Sequence, residues 1–230
     1  RKTRKPMISF VDDDCKIQIM TKWKPILQEK QVPVNFAVIT NAVGTSGYAT
    51  WDELKELQSL GAKFASHTHT HAVMTDLTEE QLEYECVTSK DILMQHGMDN
   101  DFLVYPYGSE NALVRKVTRK YFKGAIDIQS EEINVPPIET FRMNRWTLQN
   151  NTLENYKAKI DEAISMNGWL IFMSHSQYTD FDTTQLQYVR EMIDYARSKG
   201  VDIVSLKDGY EAIGNVIDIG DYSAKKTEIG

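Results

Sequence analysis

Short apolar runs alternate with amphipathic helical stretches along almost the whole chain, and this alternation leaves few folds open. Residues 7–11, 34–39, 63–65, 102–105, 124–128, 169–173 and 201–204 read as short buried strands. Residues 142–148 are a further strand candidate. Helices are predicted between them. One runs from Lys16 to Lys30, with a break where Pro25 opens a second piece. Others start at the capping signals Thr50 with Glu53 and Thr78 with Gln81. Further helices cover residues 111–121, 152–166 and 182–199, and a short one starts at Lys207. Strands this short and apolar fit a parallel sheet covered by helices. Residues 1–214 read as one domain, and residues 215–230 as a peripheral tail packed on it or extending from it.

The polar clusters fall where such a fold collects its chemistry. Asp12, Asp13 and Asp14 end the first strand, and His67, His69 and His71 follow the third. Pro106-Tyr107-Gly108 follows the fourth, and His175 follows the strand at 169–173. In parallel α/β folds the C-terminal strand ends share one face, and active sites gather there. Three of the five histidines lie within five residues. His67 and His71, four apart, face the same way on a helix or in a turn entering one, and so suit one shared divalent ion. Two imidazoles and a carboxylate leave a position open for water. A second carboxylate takes the water's proton, and a histidine across the site protonates the leaving group. Such a set hydrolyses an amide or an ester. The net charge of −7 argues against a nucleic-acid partner, and no apolar run approaches membrane-span length. Cys86 sits at a core position of its helix, and two cysteines make no disulfide scaffold.

The same residues resemble the polysaccharide deacetylase (NodB-homology) family of carbohydrate esterases. Phe10-Val11-Asp12-Asp13-Asp14 resembles the family's Thr-Phe-Asp-Asp-Gly, and His67-Thr68-His69-Thr70-His71 matches its His-Ser/Thr-x-x-His. Tyr105-Pro106-Tyr107-Gly108 resembles the end of Arg-x-Pro-Tyr-Gly, and Met173-Ser174-His175 resembles the closing Leu-x-His. The resemblance implies a distorted (β/α)7 barrel and removal of acetyl groups from an N-acetylated glycan outside the cytoplasm. It also implies a divalent metal, zinc first with cobalt or nickel as alternatives. By position, Asp13, His67 and His71 hold the metal, Asp12 is the general base and His175 the general acid. The Tyr107 N–H helps hold the oxyanion, and Thr68 steadies the histidine loop. Asp14 stands where the family has glycine, and Val104 where it has the arginine that orients the base. Arg142 and Arg145 are the candidates to replace that arginine. Tyr105, Pro106, Trp146 and Tyr178 are candidates to line the substrate groove, with core packing the default reading for the three aromatics. Tyr-Pro-Tyr-Gly without the arginine also resembles members acting on β-1,6-linked poly-N-acetylglucosamine.

Overall fold

The computed structural model describes residues 4–127, 131–214 and 216–217. Ten strands are formed. They are β1 (Met7–Asp13), β2 (Asn35–Val38), β3 (Lys63–Ser66), β4 (Phe102–Val104), β5 (Gly124–Ile126), β6 (Ile138–Glu139), β7 (Trp146–Thr147), β8 (Trp169–Ser174), β9 (Asp202–Ile203) and β10 (Val216–Ile217). Seven α-helices alternate with them. They are α1 (Ile19–Lys30), α2 (Trp51–Ser59), α3 (Glu79–Gln95), α4 (Ala112–Thr118), α5 (Leu153–Met166), α6 (Thr183–Ser198) and α7 (Leu206–Ile213).

Eight strands form one sheet in the order β5-β4-β3-β2-β1-β8-β7, with β9 beside the start of β1. Every pairing in it is parallel. The sheet curls, and residues 143–147 span its two ends. Met143 bridges Ile126 on β5, while Trp146 and Thr147 pair with Phe172 and Met173 on β8. The result is the helix-covered parallel sheet expected from the alternation, curled into the distorted barrel that the family resemblance implies. β6 and β10 pair separately, so residues 216–217 of the expected tail lie on the domain. The rest of that tail lies outside the described residues, as does Ile128 at the expected end of the fifth strand.

The pleat of β1 decides which side chains reach the barrel interior, because successive residues face opposite ways. Ile8 and Phe10 pack outward with Trp23 of α1 and Val189 and Ile193 of α6. Met7 and Val11 pack inward with Val104, Ile126 and Ile171. Asp12 therefore continues the outer row, and Asp13 the inner one.

Two local expectations are corrected. Helix α1 is continuous through Pro25. Proline removes one helical bond, and burial of Trp23, Ile26 and Leu27 on either side offsets it. The strand expected over 142–148 shrinks to β7, flanked by the bridge at Met143 and by the Leu148 N–H on the Met173 carbonyl. The histidines lie in a loop after β3, as expected, and Thr68 (φ 65°) and His71 (φ 60°) adopt left-handed backbone there.

Candidate metal and acid–base site

The histidine loop starts where β3 ends, and its shape is fixed from beneath by α3. Glu85 lies buried on the core face of that helix, among Leu82, Cys86, Ser89 and Leu93. Its Oε2 accepts from the backbone N–H of His69 (2.8 Å) and of Thr70 (2.9 Å), and its Oε1 accepts from the Thr70 hydroxyl. Ser89 is hydrogen-bonded to Ser66, whose Oγ accepts from the Thr68 N–H at 3.1 Å. Thr68 Oγ1 in turn accepts from the His71 N–H at 3.0 Å. Thr68 thus has the loop-steadying contact expected of it. His69 points away and pairs with Thr40.

This loop brings His67 Nε2 and His71 Nε2 to 3.1 Å from each other. Asp14 Oδ1 lies 3.2 Å from the first and 3.5 Å from the second. Ligand atoms about 2.0–2.1 Å from a tetrahedral ion are about 3.3 Å apart, so these three form one face of such a shell. The second contacts suit the role. His67 Nδ1 donates to the Val104 carbonyl at 2.7 Å, which leaves Nε2 with its lone pair forward. Asp14 Oδ2 accepts from Gln177 at 2.7 Å, while Asp14 Oδ1 is buried without a hydrogen-bond partner. Asp14, His67 and His71 are the triad with metal-ligand spacing among the described residues.

Charges within the cluster compensate. Burial favours the neutral form of His67, yet Asp13 and Asp14 outweigh it and raise its pKa. Burial and the charge on His67 push His71 down to about 4. For Asp14 burial works upward, but the adjoining His67, with His175 and His71, holds the carboxyl far below its ordinary range. An anionic carboxylate with a neutral His71 is the protonation state a divalent cation needs.

Asp13 sits just inside this triad. Its Oδ1 accepts from Arg145 Nη1 at 2.8 Å, and Oδ2 lies 3.9 Å from both His67 Nε2 and His175 Nε2. Arg145 is almost fully buried and also donates to the Asp127 carbonyl. His175 Nε2 is 4.0 Å from Asp14 Oδ2, and its ring stacks on Tyr178 with centroids 4.6 Å apart. Tyr107 closes the near side. It has left-handed backbone (φ 59°), its ring packs 4.6 Å from that of His71, and it is exposed.

The aspartates are thus shifted by one from the sequence expectation. Asp12, expected as the base, points outward and is fully buried. Its Oδ2 accepts from Trp23 Nε1 (3.0 Å), Ser174 Oγ (2.6 Å) and Ser176 Oγ (2.8 Å). Burial is the main reason its pKa rises to about 7. Asp13, expected as a ligand, is the carboxylate on the arginine. Asp14, expected merely to replace a glycine, is the one that meets both imidazoles.

Four other expected residues lie elsewhere. Tyr105 is buried and donates to the Phe141 carbonyl. Pro106 is buried at the start of the turn that presents Tyr107. Trp146 faces the outer layer against Tyr156 and Phe172. Arg142 pairs with Glu110 and Glu139 rather than with the site's aspartates. Glu85, Gln177, Ser174 and Ser176 were missed. Of these only Glu85 left a signal, as a charge on the apolar face of α3.

Comparison with known proteins follows the geometry. The polysaccharide deacetylase family model matches residues 1–122. A family 4 carbohydrate esterase from Streptomyces lividans, solved with acetate, is 18% identical over 90% of this chain and 97% of its own, with TM-score 0.63. The Xyl-CE4 domain of a multidomain xylanase from the hindgut metagenome of Trinervitermes trinervoides is 17% identical over 90% of each chain, with TM-score 0.62. A family 4 carbohydrate esterase from Bacillus anthracis is 18% identical over 92% of this chain and 85% of its own, again at 0.62. At such identities the likeness speaks for the fold. No curated protein matches the chain.

Proposed function

The chain belongs to the polysaccharide deacetylase family, and from that premise we propose that it is a metal-dependent hydrolase removing acetyl groups from an N-acetylated glycan built on N-acetylglucosamine. Residues 1–214 are its catalytic unit, working outside the cytoplasm. The observation that carries the reading is the triangle of Asp14 Oδ1, His67 Nε2 and His71 Nε2, with sides of 3.1–3.5 Å, facing Asp13 and His175.

The donor set fits a divalent ion of the zinc class, with zinc preferred and cobalt or nickel alternatives. When bound, such an ion polarises the acetyl carbonyl and makes water acidic. The rest is the work of the chain's own groups. Asp13, oriented by Arg145, accepts the proton of the attacking water. His175, just past the end of the neighbouring strand β8, donates a proton to the departing amine. The Tyr107 N–H, presented by its left-handed turn, stabilises the negative oxygen as the carbonyl carbon becomes tetrahedral. The exposed rings of Tyr107 and Tyr178 flank the opening and offer faces to a sugar.

The test is acetate release from N-acetylglucosamine oligomers by protein stripped of metal and then supplied with zinc, cobalt or nickel. Release restored by metal and lost in Asp13→Asn is the expected result. No release from these or from other N-acetylated glycans, with metal bound and the fold intact, would overturn it. A related domain occurs within a xylanase, so acetylated xylan belongs in the panel. Faster release from xylan would make this an O-acetyl esterase.

A further inference from the structure

The third aspartate has no part in that chemistry, yet it is the best-anchored of the three. We infer that Asp12 is a positioning residue for His175, acting through the hydroxyls of Ser174 and Ser176. The inference rests on the deacetylase reading for its kinetic consequences, but not for its geometry.

Asp12 and Ser174 are register partners on β1 and β8. β8 ends at Ser174, so the sheet itself stops holding the chain one residue before His175. Ser176, beyond the strand, returns to the same carboxylate oxygen as Ser174, at 2.8 Å and 2.6 Å. Two side chains at positions i and i+2 pinned to one atom extend the pleat's alternation past the strand end. The residue between them must then face the other way. That is the direction of the barrel interior, where His175 Nε2 stands 3.9 Å from Asp13 and 4.0 Å from Asp14.

His175 needs such a device. Its Nδ1 is buried and has no hydrogen-bond partner among the described residues. The usual way to orient a catalytic imidazole, a carboxylate or carbonyl on its far nitrogen, is missing here. Its ring has the Tyr178 face on one side, nearly parallel at 14°. A stack fixes the plane of a ring better than its rotation within that plane. The remaining control is the backbone on either side, which Asp12 holds. A carboxylate rather than an apolar residue is required at position 12, because Ser174, Ser176 and Trp23 Nε1 all donate to it in a buried place. Without an acceptor, three polar groups are stranded.

All three donors use Oδ2, and Oδ1 is left unpartnered. An asparagine with its carbonyl oxygen in place of Oδ2 therefore preserves the anchor. This separates positioning from base catalysis. In the Ser174→Ala/Ser176→Ala pair, kcat for acetate release from N-acetylglucosamine oligomers should fall about 10- to 100-fold with KM unchanged. The pair should cost less than about twofold in a His175→Ala background, since both act through one group. Asp12→Asn should keep kcat within about tenfold of the parent. Side-chain NMR should show the His175 ring signals shifted in the serine pair and restored to the parent pattern in Asp12→Asn, with zinc affinity unchanged in both.

Unchanged kcat and unchanged His175 signals in the serine pair would overturn the inference. So would a loss that adds in full to that of His175→Ala, or an Asp12→Asn variant as dead as Asp13→Asn. If the parent protein releases no acetate, the deacetylase reading fails, while the NMR comparison still decides the positioning role.

Discussion

Asp12 and Asp13 are neighbours in sequence and opposites in setting. Asp13 faces the interior, meets the guanidinium of Arg145 and looks onto two imidazoles. Asp12 faces the helical layer and meets three uncharged donors and no cation. The same side chain is thus offered a charge partner on one face of β1 and only dipoles on the other. A carboxylate with a guanidinium at hand is held in one orientation by it. One sealed among hydroxyls and an indole holds its own proton up to about 7, mainly because burial penalises its charge. The pleat, rather than the residue type, separates a reacting group from an anchoring one.

The contrast can be broken or sharpened in steps. The largest effect is expected at the inner face. His67→Ala removes one corner of the ligand triangle and should abolish metal-restored acetate release; turnover equal to the parent's under added zinc would refute the metal assignment. Asp13→Asn should bind zinc normally and lose about a thousandfold in kcat. If Asp12→Asn were the more damaged of the two, the proposed roles would have to be exchanged. Arg145→Met should cost about 10- to 100-fold in kcat, measured at saturating metal, because it leaves the Asp13 carboxylate free to rotate.

Smaller again is Glu85→Gln. It keeps the size of the side chain but weakens the grip on the His69 and Thr70 N–H groups, and should lower zinc affinity about tenfold by competition with a chelator. An unchanged affinity would mean that the loop holds its shape without the helix. The smallest effect concerns stability alone. In the metal-free protein Asp12 keeps its proton up to about pH 7, whereas an ordinary carboxylate gives it up near 3.8. Between these values the folded state binds more protons than the unfolded one, so stability falls as pH rises through the window. Asp12→Asn should flatten that slope in urea titrations at about pH 5 and about pH 8. An equal slope in both proteins would count against a raised pKa.

Much of this was legible before any coordinates. The alternation of apolar runs and capped helices leads to a parallel sheet covered by helices, the family resemblance to its closure as a barrel, and the polar clusters at 12–14, 67–71, 107 and 175 do converge at one mouth. What could not be read was which face of β1 each aspartate takes. A one-residue slip in a strand exchanges its faces, and a row of three identical residues carries no mark of phase. The flanking pair Phe10 and Val11 gave none either, since both are apolar and both are buried. Trp146 stayed ambiguous for a related reason. An aromatic in a two-residue strand reads equally well as groove or as core, and only the packing of Tyr156 and Phe172 against it settles the matter. Of the two arginines expected to orient Asp12, Arg145 meets Asp13 instead, and Arg142 meets neither.

The contact between Arg145 and Asp13 joins residues 132 apart in sequence. The metal-holding parts have a much shorter reach. Asp14, His67 and His71, with Glu85 beneath the loop and the Val104 carbonyl behind His67, are all supplied by the first 104 residues. A chain emerging from the ribosome therefore has every proposed metal ligand in hand before the residue proposed to orient the base, and well before the proposed proton donor at 175. Assembly of the enzyme is ordered by its own sequence: the cradle is written first, and the reactive pair is completed only when the barrel closes.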